Sequence, residues 1–343
     1  MPFTLPPLDP ALARESIDTL RLLAVDAVEA ANSGHPGTPM EAAPAGYLLY
    51  ARHLRHNPKN PAWPGRDRFV LSCGHASALL YALLHLSGYA LPIEEIRRFR
   101  QLGSRTPGHP AFGHTPGVET TTGPLGQGLA VAVGMAMGGR FLADRVDPAL
   151  FDYRVYALCS DGDLMEGVAA EAVSLAGHLR LGNLVCLYLD NRITIEGSTE
   201  LAFSEEVATR FLACGWQVQH AEGENLPEID AALTRAKADP RPSLLILRTH
   251  IAQGAPTRQD TAEAHGAPLG TEEVRAVKRA CGRDPEAAFA VPDPVRAHLD
   301  QRERGEALER AWREEFGKRF DADPEPLAPW LEAAEGRLPP GWD

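Results

Sequence analysis

Asp161 and Asn191 stand 30 residues apart, each at the end of an apolar run, RVYALC and LVCLYLD. A carboxylate and an amide carbonyl are hard oxygen donors. On neighbouring strand tips about 4.8 Å apart, both could reach one divalent cation at about 2.1 Å, the magnesium–oxygen distance. Magnesium would complete such a set with a backbone carbonyl, water and oxygens of a phosphorylated ligand. Gly162, between Asp161 and the following helix, frees the backbone to approach a diphosphate at a helix N-terminus. Taken singly, SDG and DN are ordinary turn residues, so the chemistry lies in their pairing. Four histidines add proton-transfer and hydrogen-bonding capacity: His35 in SGHPGTPM, His75 in CGHA, His109 in TPGHP and His265 in HGAPLG. Each lies in a glycine- or proline-rich loop, where a side chain is held out for a ligand. His53, His56, His85, His178, His220 and His298 read as surface or core residues, and His114 and His250 stay open between the two readings.

The elements that must position these groups follow from periodicity. Asp9 and Pro10 open a helix whose apolar residues keep helical spacing until Asn32-Ser33-Gly34 stops it, which leaves SGHPGTPM as a loop. A second helix is expected at about 41–54, then a short strand RFVLS and a helix ASALLYALLHLSG. Residues 103–128 hold too many glycines and prolines for regular structure and read as a long functional loop. A helix of small residues follows at 129–142. RVYALC and LVCLYLDN, joined by a helix at about 166–181, read as parallel strands of a right-handed βαβ unit. Helix 204–214, strand WQVQHA, helix 226–238 and strand SLLILRTHI continue the alternation. The expected fold is α/β, a doubly wound, mostly parallel sheet with helices on both faces and a C-terminal helical appendage that includes one helix from Asp293 to about Phe320. The expected division is residues 1–270 for the α/β domain and 271–343 for the helical extension.

The 343 residues are 44% hydrophobic and 23% charged, enough to bury a core, and the formal charge of −12 repels nucleic-acid phosphates and anionic membrane surfaces. The five widely spaced cysteines show no zinc spacing and fit a reducing compartment. No signal peptide or membrane span is read, so a soluble, cytoplasmic chain that binds neither nucleic acid nor membrane is expected.

The string SDGDLMEGVAAEAVSLAGHLRLGNLVCLYLDNRITIEG resembles the thiamine diphosphate signature of transketolases, in which GDG opens the motif and an asparagine closes it. SGHPGTPM, LSCGHASALLYALL, GSRTPGHP, GVETTTGPLGQGLAVAVGMAM and HGAPLG follow the order and spacing of a transketolase N-terminal half, over about residues 9–342. The resemblance implies that Asp161, Asn191 and the Ile193 carbonyl hold a divalent metal, Mg2+ or else Ca2+ or Mn2+. It implies that His75, Gly162 and His265 contact the diphosphate of thiamine diphosphate, and that His35, His109 and His265 face the thiazolium and the sugar. Gly123, Pro124 and Leu125 would supply backbone contacts and the bulky side chain that bends the cofactor, with Ile251 packed nearby. Glu166 resembles an acidic residue that communicates across a dimer, and helix 129–142 would lie near that interface.

Three positions depart from the pattern: Ser160 stands for a glycine, Ala111 for an acid after GHP, and Ala252 for a glycine in the IGxG turn. The resemblance also implies that the carboxylic acid needed at the cofactor's aminopyrimidine, and the grip on sugar phosphates, belong to a following pyrimidine-binding domain. The expected activity is therefore transfer of a two-carbon ketol unit from a ketose phosphate to an aldose phosphate, in a homodimer or heterotetramer completed by that domain. The chain is expected to be a natural subunit or a fragment, inactive alone. Dihydroxyacetone synthase, 1-deoxyxylulose-5-phosphate synthase and a non-catalytic cofactor- or partner-binding chain are the alternatives, and GSRTPGHP with HGAPLG favours transketolase.

Overall fold

The computed structural model describes residues 5–338. Its strands are β1 (Arg68–Leu71), β2 (Val155–Ser160), β3 (Leu184–Asp190), β4 (Ile193–Thr194), β5 (Gly197–Ser198), β6 (Gln217–Glu222) and β7 (Ser243–Arg248). Five of them form one parallel sheet in the order β1-β2-β3-β7-β6, while β4 and β5 pair as a small antiparallel hairpin just beyond β3. The uninterrupted apolar runs have the expected cause, because the central strands are covered on both faces. Along β2, Tyr156 and Leu158 pack on one face while Val155, Ala157 and Cys159 pack on the other. The first face carries helices Pro10–Ala31, Gly37–Leu48, Ser77–Ser87 and Leu226–Ala236, and the second carries Gln127–Arg145, Gly167–His178 and Val207–Ala213. The doubly wound α/β fold is thus as the patterning implies.

Register places Ser160 beside Leu189, so Asp161 and Asn191 leave the sheet from the carboxyl ends of adjacent strands. In an open parallel sheet that edge is where ligands bind. The hydroxyl and carboxylate of Ser160 and Asp163 fix the turn there. The Ser160 N–H donates to Asp163 Oδ2 at 2.9 Å and starts the short helix Asp161–Met165.

Local structure differs from the sequence reading at both ends of the second helix and in the C-terminal helices. The helix expected from 41 begins at Gly37, so of SGHPGTPM only the stretch through Pro36 is loop, and Pro39 fits the first turn, where its missing N–H costs nothing. That helix ends in a π-helical turn, Leu49–His53, which brings Arg52 and His53 onto Asp230. The single helix expected from Asp293 is broken into Asp293–Leu299 and Arg302–Ala322. At the break the Gln301 N–H leaves the helical ladder for the Ser87 carbonyl, and the Asp300 carboxylate accepts the Arg302 N–H at 2.9 Å where the second helix begins. The described residues beyond 270 pack back on the rest. Val295 and Leu299 join the first face, Trp312 and Phe316 the second, and Val274 and Val277 meet Leu22, Val25 and Met40 in a third cluster. Among the described residues no helix is long and apolar enough to cross a membrane.

His56 illustrates a core histidine. It is buried against Tyr89, whose hydroxyl lies 2.9 Å from Nδ1, and burial pushes its pKa from 6.5 down to about 4. Between these values the unfolded chain binds a proton that the folded one refuses, so stability falls as pH drops from 6.5 towards 4. This group alone should cost about 2 kcal/mol between pH 7 and pH 5. Thermal melts are expected to show a lower midpoint at pH 5 and a flatter pH dependence in His56→Asn. Equal midpoints for the wild type at the two pH values would contradict the assignment.

Candidate cofactor site

Asp161 is buried, and its Oδ1 accepts the Tyr188 hydroxyl from β3. Its Oδ2 is buried with no partner. Burial raises the Asp161 pKa to about 6, with the nearby Asp190 charge acting in the same direction. Asp161, Tyr188, Asp190 and Arg248 line an open groove of about 690 Å3 along the carboxyl edge of the sheet. Asn191 is also buried. Its Oδ1 accepts the Ile193 N–H at 2.8 Å, and its Nδ2 donates to Glu41 Oε1 at 2.7 Å. Asn191 therefore fixes the turn that carries the Ile193 carbonyl. Among the described residues no group of three or more His, Cys, Asp and Glu could hold a metal unaided. The donor set on offer is one carboxylate, one amide and one carbonyl, which leaves a cation dependent on ligand oxygens.

The four loop histidines come together. Ring centroids lie 5.2 Å apart for His35 and His75, 5.1 Å for His75 and His265, 5.5 Å for His35 and His265, and 6.3 Å for His35 and His109. His75 is buried and its Nε2 lies 3.2 Å from the Thr38 hydroxyl. Burial, followed by its imidazole neighbours, holds the His75 pKa well below the usual value. The same causes push His35 down to about 4, with Arg100 adding to the effect. Burial also lowers His109 and His265, so the cluster is neutral near pH 7. The two open cases fall outside it. His114 bonds to the Ser104 carbonyl and half-buried His250 to Asp260.

The glycine-rich strings explain how the two groups meet. A Cβ on Gly74 would lie 2.7 Å from Thr122 Oγ1 and 2.8 Å from the Gly123 nitrogen, so the His75 turn and the Gly123 loop touch backbone to backbone. Gly123, at φ +147, lies against the His109 ring. Leu125 sits over Gly162, 2.7 Å from where a Cβ would stand, and Pro124 is exposed between them. Ile251 packs against Gly37, directly after the His35 loop. Exposed Glu166 starts helix Gly167–His178 and lies against Gly126. All thirteen residues singled out in the sequence thus lie around this edge of the molecule.

Two of the three departures have a structural reading. Ser160 adds a hydroxyl bond to Asp163 at 3.2 Å. Ala252 is buried at φ +53, a left-handed conformation that costs an alanine roughly 1 kcal/mol relative to glycine. Nothing in the structure explains Ala111.

Two residues escaped the sequence reading. Asp163 is wholly buried and accepts from the Ser72 hydroxyl at 2.6 Å and the Gly126 N–H at 2.9 Å besides its bonds from Ser160. It ties the ends of β1 and β2 to the loop that carries Gly123 and Leu125. Glu41, on helix Gly37–Leu48, is fully buried and pushed up to about 8 by burial. Its signal was available, since no other charged residue lies between Glu29 and Arg52.

An α/β sheet whose carboxyl edge gathers a carboxylate, an amide, glycine turns and neutral imidazoles has the layout in which open parallel sheets take up ligands. The family described as transketolase, thiamine diphosphate binding domain, matches residues 12–339, and the chain belongs to that family. It is 51% identical over 286 residues to the transketolase of Halalkalibacterium halodurans, covering 82% of this chain and 43% of that protein. Against the transketolase of Bacillus subtilis it is 49% identical over 289 residues, with the same coverage, 82% and 43%. Its fold superposes on a transketolase variant from Pichia stipitis in complex with xylulose-5-phosphate with a TM-score of 0.94 at 43% identity, covering 97% of this chain and 50% of that one. For the transketolase of Campylobacter jejuni the TM-score is 0.86 at 44% identity, with 91% and 51% covered. The chain spans about 43% of the length of these curated relatives.

Proposed function

We propose that this chain supplies the diphosphate- and metal-binding half of a transketolase, acting on a ketose phosphate donor and an aldose phosphate acceptor together with a complementary pyrimidine-binding domain or subunit. The observation that carries the reading is the partnerless, buried Asp161 Oδ2 beside an Asn191-anchored turn. Buried polar atoms are nearly always paired, yet His35 Nδ1, Thr122 Oγ1 and His265 Nδ1 share its condition within the same site. A ligand with several acceptor and donor atoms would satisfy them, so the residues fit a metal diphosphate. Asp161, Asn191 and the Ile193 carbonyl would hold the divalent cation, Mg2+ or alternatively Ca2+ or Mn2+. His75, Gly162 and His265 would bind the diphosphate, and Gly123, Pro124, Leu125 and Ile251 would shape the bed beneath the rings. When bound, thiamine diphosphate supplies the nucleophilic carbon and electron sink that cleaving a ketose carbon–carbon bond requires. Neutral His35, His109 and His265 can each accept a proton from a sugar hydroxyl and return it, the role suited to imidazoles poised below neutrality.

Helices Gln127–Arg145 and Gly167–His178 expose Val131, Met137, Phe141, Val168 and Leu175. We assign this face to a second copy, in a homodimer or a heterotetramer, with Glu166 beside it. Residues 271–343 would lead towards the complementary domain. Five free thiols fit a cytoplasmic setting.

Calorimetry with thiamine diphosphate and Mg2+ tests the cofactor reading, and ketol transfer from xylulose 5-phosphate to ribose 5-phosphate, with and without a complementary half, tests the activity. Binding should require both Mg2+ and cofactor, and turnover should require the second half. Turnover by this chain alone would refute the division of labour. His109→Ala should lower turnover of the assembled enzyme by roughly 100- to 10,000-fold while changing cofactor affinity less than about threefold. Parallel losses in both quantities would show that His109 serves binding.

A further inference from the structure

Helix Gly37–Leu48 begins beside the His35 loop and Ile251, and one turn further along it places Glu41 against Asn191. A primary amide is nearly symmetric in shape, so its orientation is set by what each end meets. Here the two ends meet opposite partners. The Asn191 NH2 donates to Glu41 Oε1 at 2.7 Å, so that end of the amide faces an acceptor. The Ile193 N–H can only donate, which compels the Asn191 oxygen to the other side at 2.8 Å. The Glu41 bond is buried and closed to water, and the Ile193 bond is part-buried.

We propose that Glu41 is a positioning residue for the metal: it locks the Asn191 amide so that Oδ1 is presented to a divalent cation together with Asp161 and the Ile193 carbonyl. This rests on the cofactor site proposed above. Outer groups that orient a metal ligand typically change metal affinity 10- to 100-fold when removed. Glu41 differs from such groups in its reach, because the same helix turn supports the Gly37–Ile251 contact beside the histidine cluster.

The test uses the whole 343-residue chain. Thiamine diphosphate is titrated calorimetrically at fixed MgCl2 into wild type, Glu41→Leu, Glu41→Gln, Asn191→Asp and the Glu41→Gln/Asn191→Asp double variant. Glu41→Leu keeps the bulk and loses the acceptor, and it should weaken binding by about 10- to 100-fold. Glu41→Gln keeps an acceptor oxygen and should stay within about threefold of wild type. Asn191→Asp sets two carboxylates face to face and should bind poorly. Adding Glu41→Gln to it restores a hydrogen bond of reversed polarity and should recover affinity. That rescue is a coupling that a merely structural Glu41 would not produce. Wild-type affinity in Glu41→Leu, or a double variant no better than Asn191→Asp, overturns the proposal. Glu41→Leu may be replaced by Glu41→Ala if it does not fold, and the rescue arm stands without either. A wild-type chain that does not bind cofactor with Mg2+ defeats the site itself, a result distinct from the failure of Glu41.

Discussion

Asp161→Ala is expected to abolish Mg2+-dependent binding of thiamine diphosphate, a loss greater than the 10- to 100-fold that outer-sphere substitutions cause. Asp161 is the one anionic side chain among the three proposed metal ligands, and no neighbouring protein donor satisfies its Oδ2. The fold should tolerate the change. The removed carboxylate is buried at a cost, its pKa already raised to about 6, and the principal bond lost is the one from the Tyr188 hydroxyl. Apo melting temperatures of wild type and variant should therefore agree within a few degrees while calorimetric binding disappears. A variant that binds cofactor and Mg2+ like wild type would remove Asp161 from the site.

Asp163→Ala is expected to fail differently, through the frame. Its carboxylate, fully buried, accepts from Ser72, Gly126 and Ser160, and the Ser72 hydroxyl in turn accepts the Leu129 N–H at 3.0 Å. Deleting a buried carboxylate can be neutral where its partners vanish with it, but here the Ser72, Gly126 and Ser160 donors would remain, dry and unpaired. At about 1–3 kcal/mol for each orphaned group, shared among partners that relax, the loss should be on the order of 3–5 kcal/mol. Urea midpoints should fall accordingly, and cofactor affinity should fall with them, because the Gly126 loop that carries Gly123 and Leu125 loses its anchor. Asp163→Asn keeps one acceptor but turns a donor towards its neighbours, so it should lie between. An alanine variant as stable as wild type would show that the network is dispensable.

Much of this architecture is legible in the sequence, for reasons that the structure makes plain. Central strands buried on both faces are written as unbroken apolar runs, so β2 and β3 could be paired and Asp161 set beside Asn191 before any coordinates. Loops that must approach a ligand closely are written in glycine and proline, which is why the histidines of the site separate from those of the core. Other features leave weaker traces. The start of helix Gly37–Leu48 is disguised because Gly-Thr-Pro serves a loop or a helical first turn equally well. The break at Asp300 depends on a carbonyl from Ser87, more than 200 residues away in sequence, which no local pattern announces. Asp163 looks like ordinary helix surface until tertiary packing encloses it, whereas Glu41, a lone charge in an apolar helix, did carry a local signal.

The crowding of His35, His75, His109 and His265 has a further consequence. With rings about 5.5 Å apart and an effective dielectric near 20, a proton on one raises the cost of a second by roughly 3 kcal/mol, or about two pH units. The quartet therefore resists carrying more than one proton, and near pH 7 it carries none. A cluster so held offers lone pairs and N–H donors, in place of fixed positive charge, to whatever lies against it.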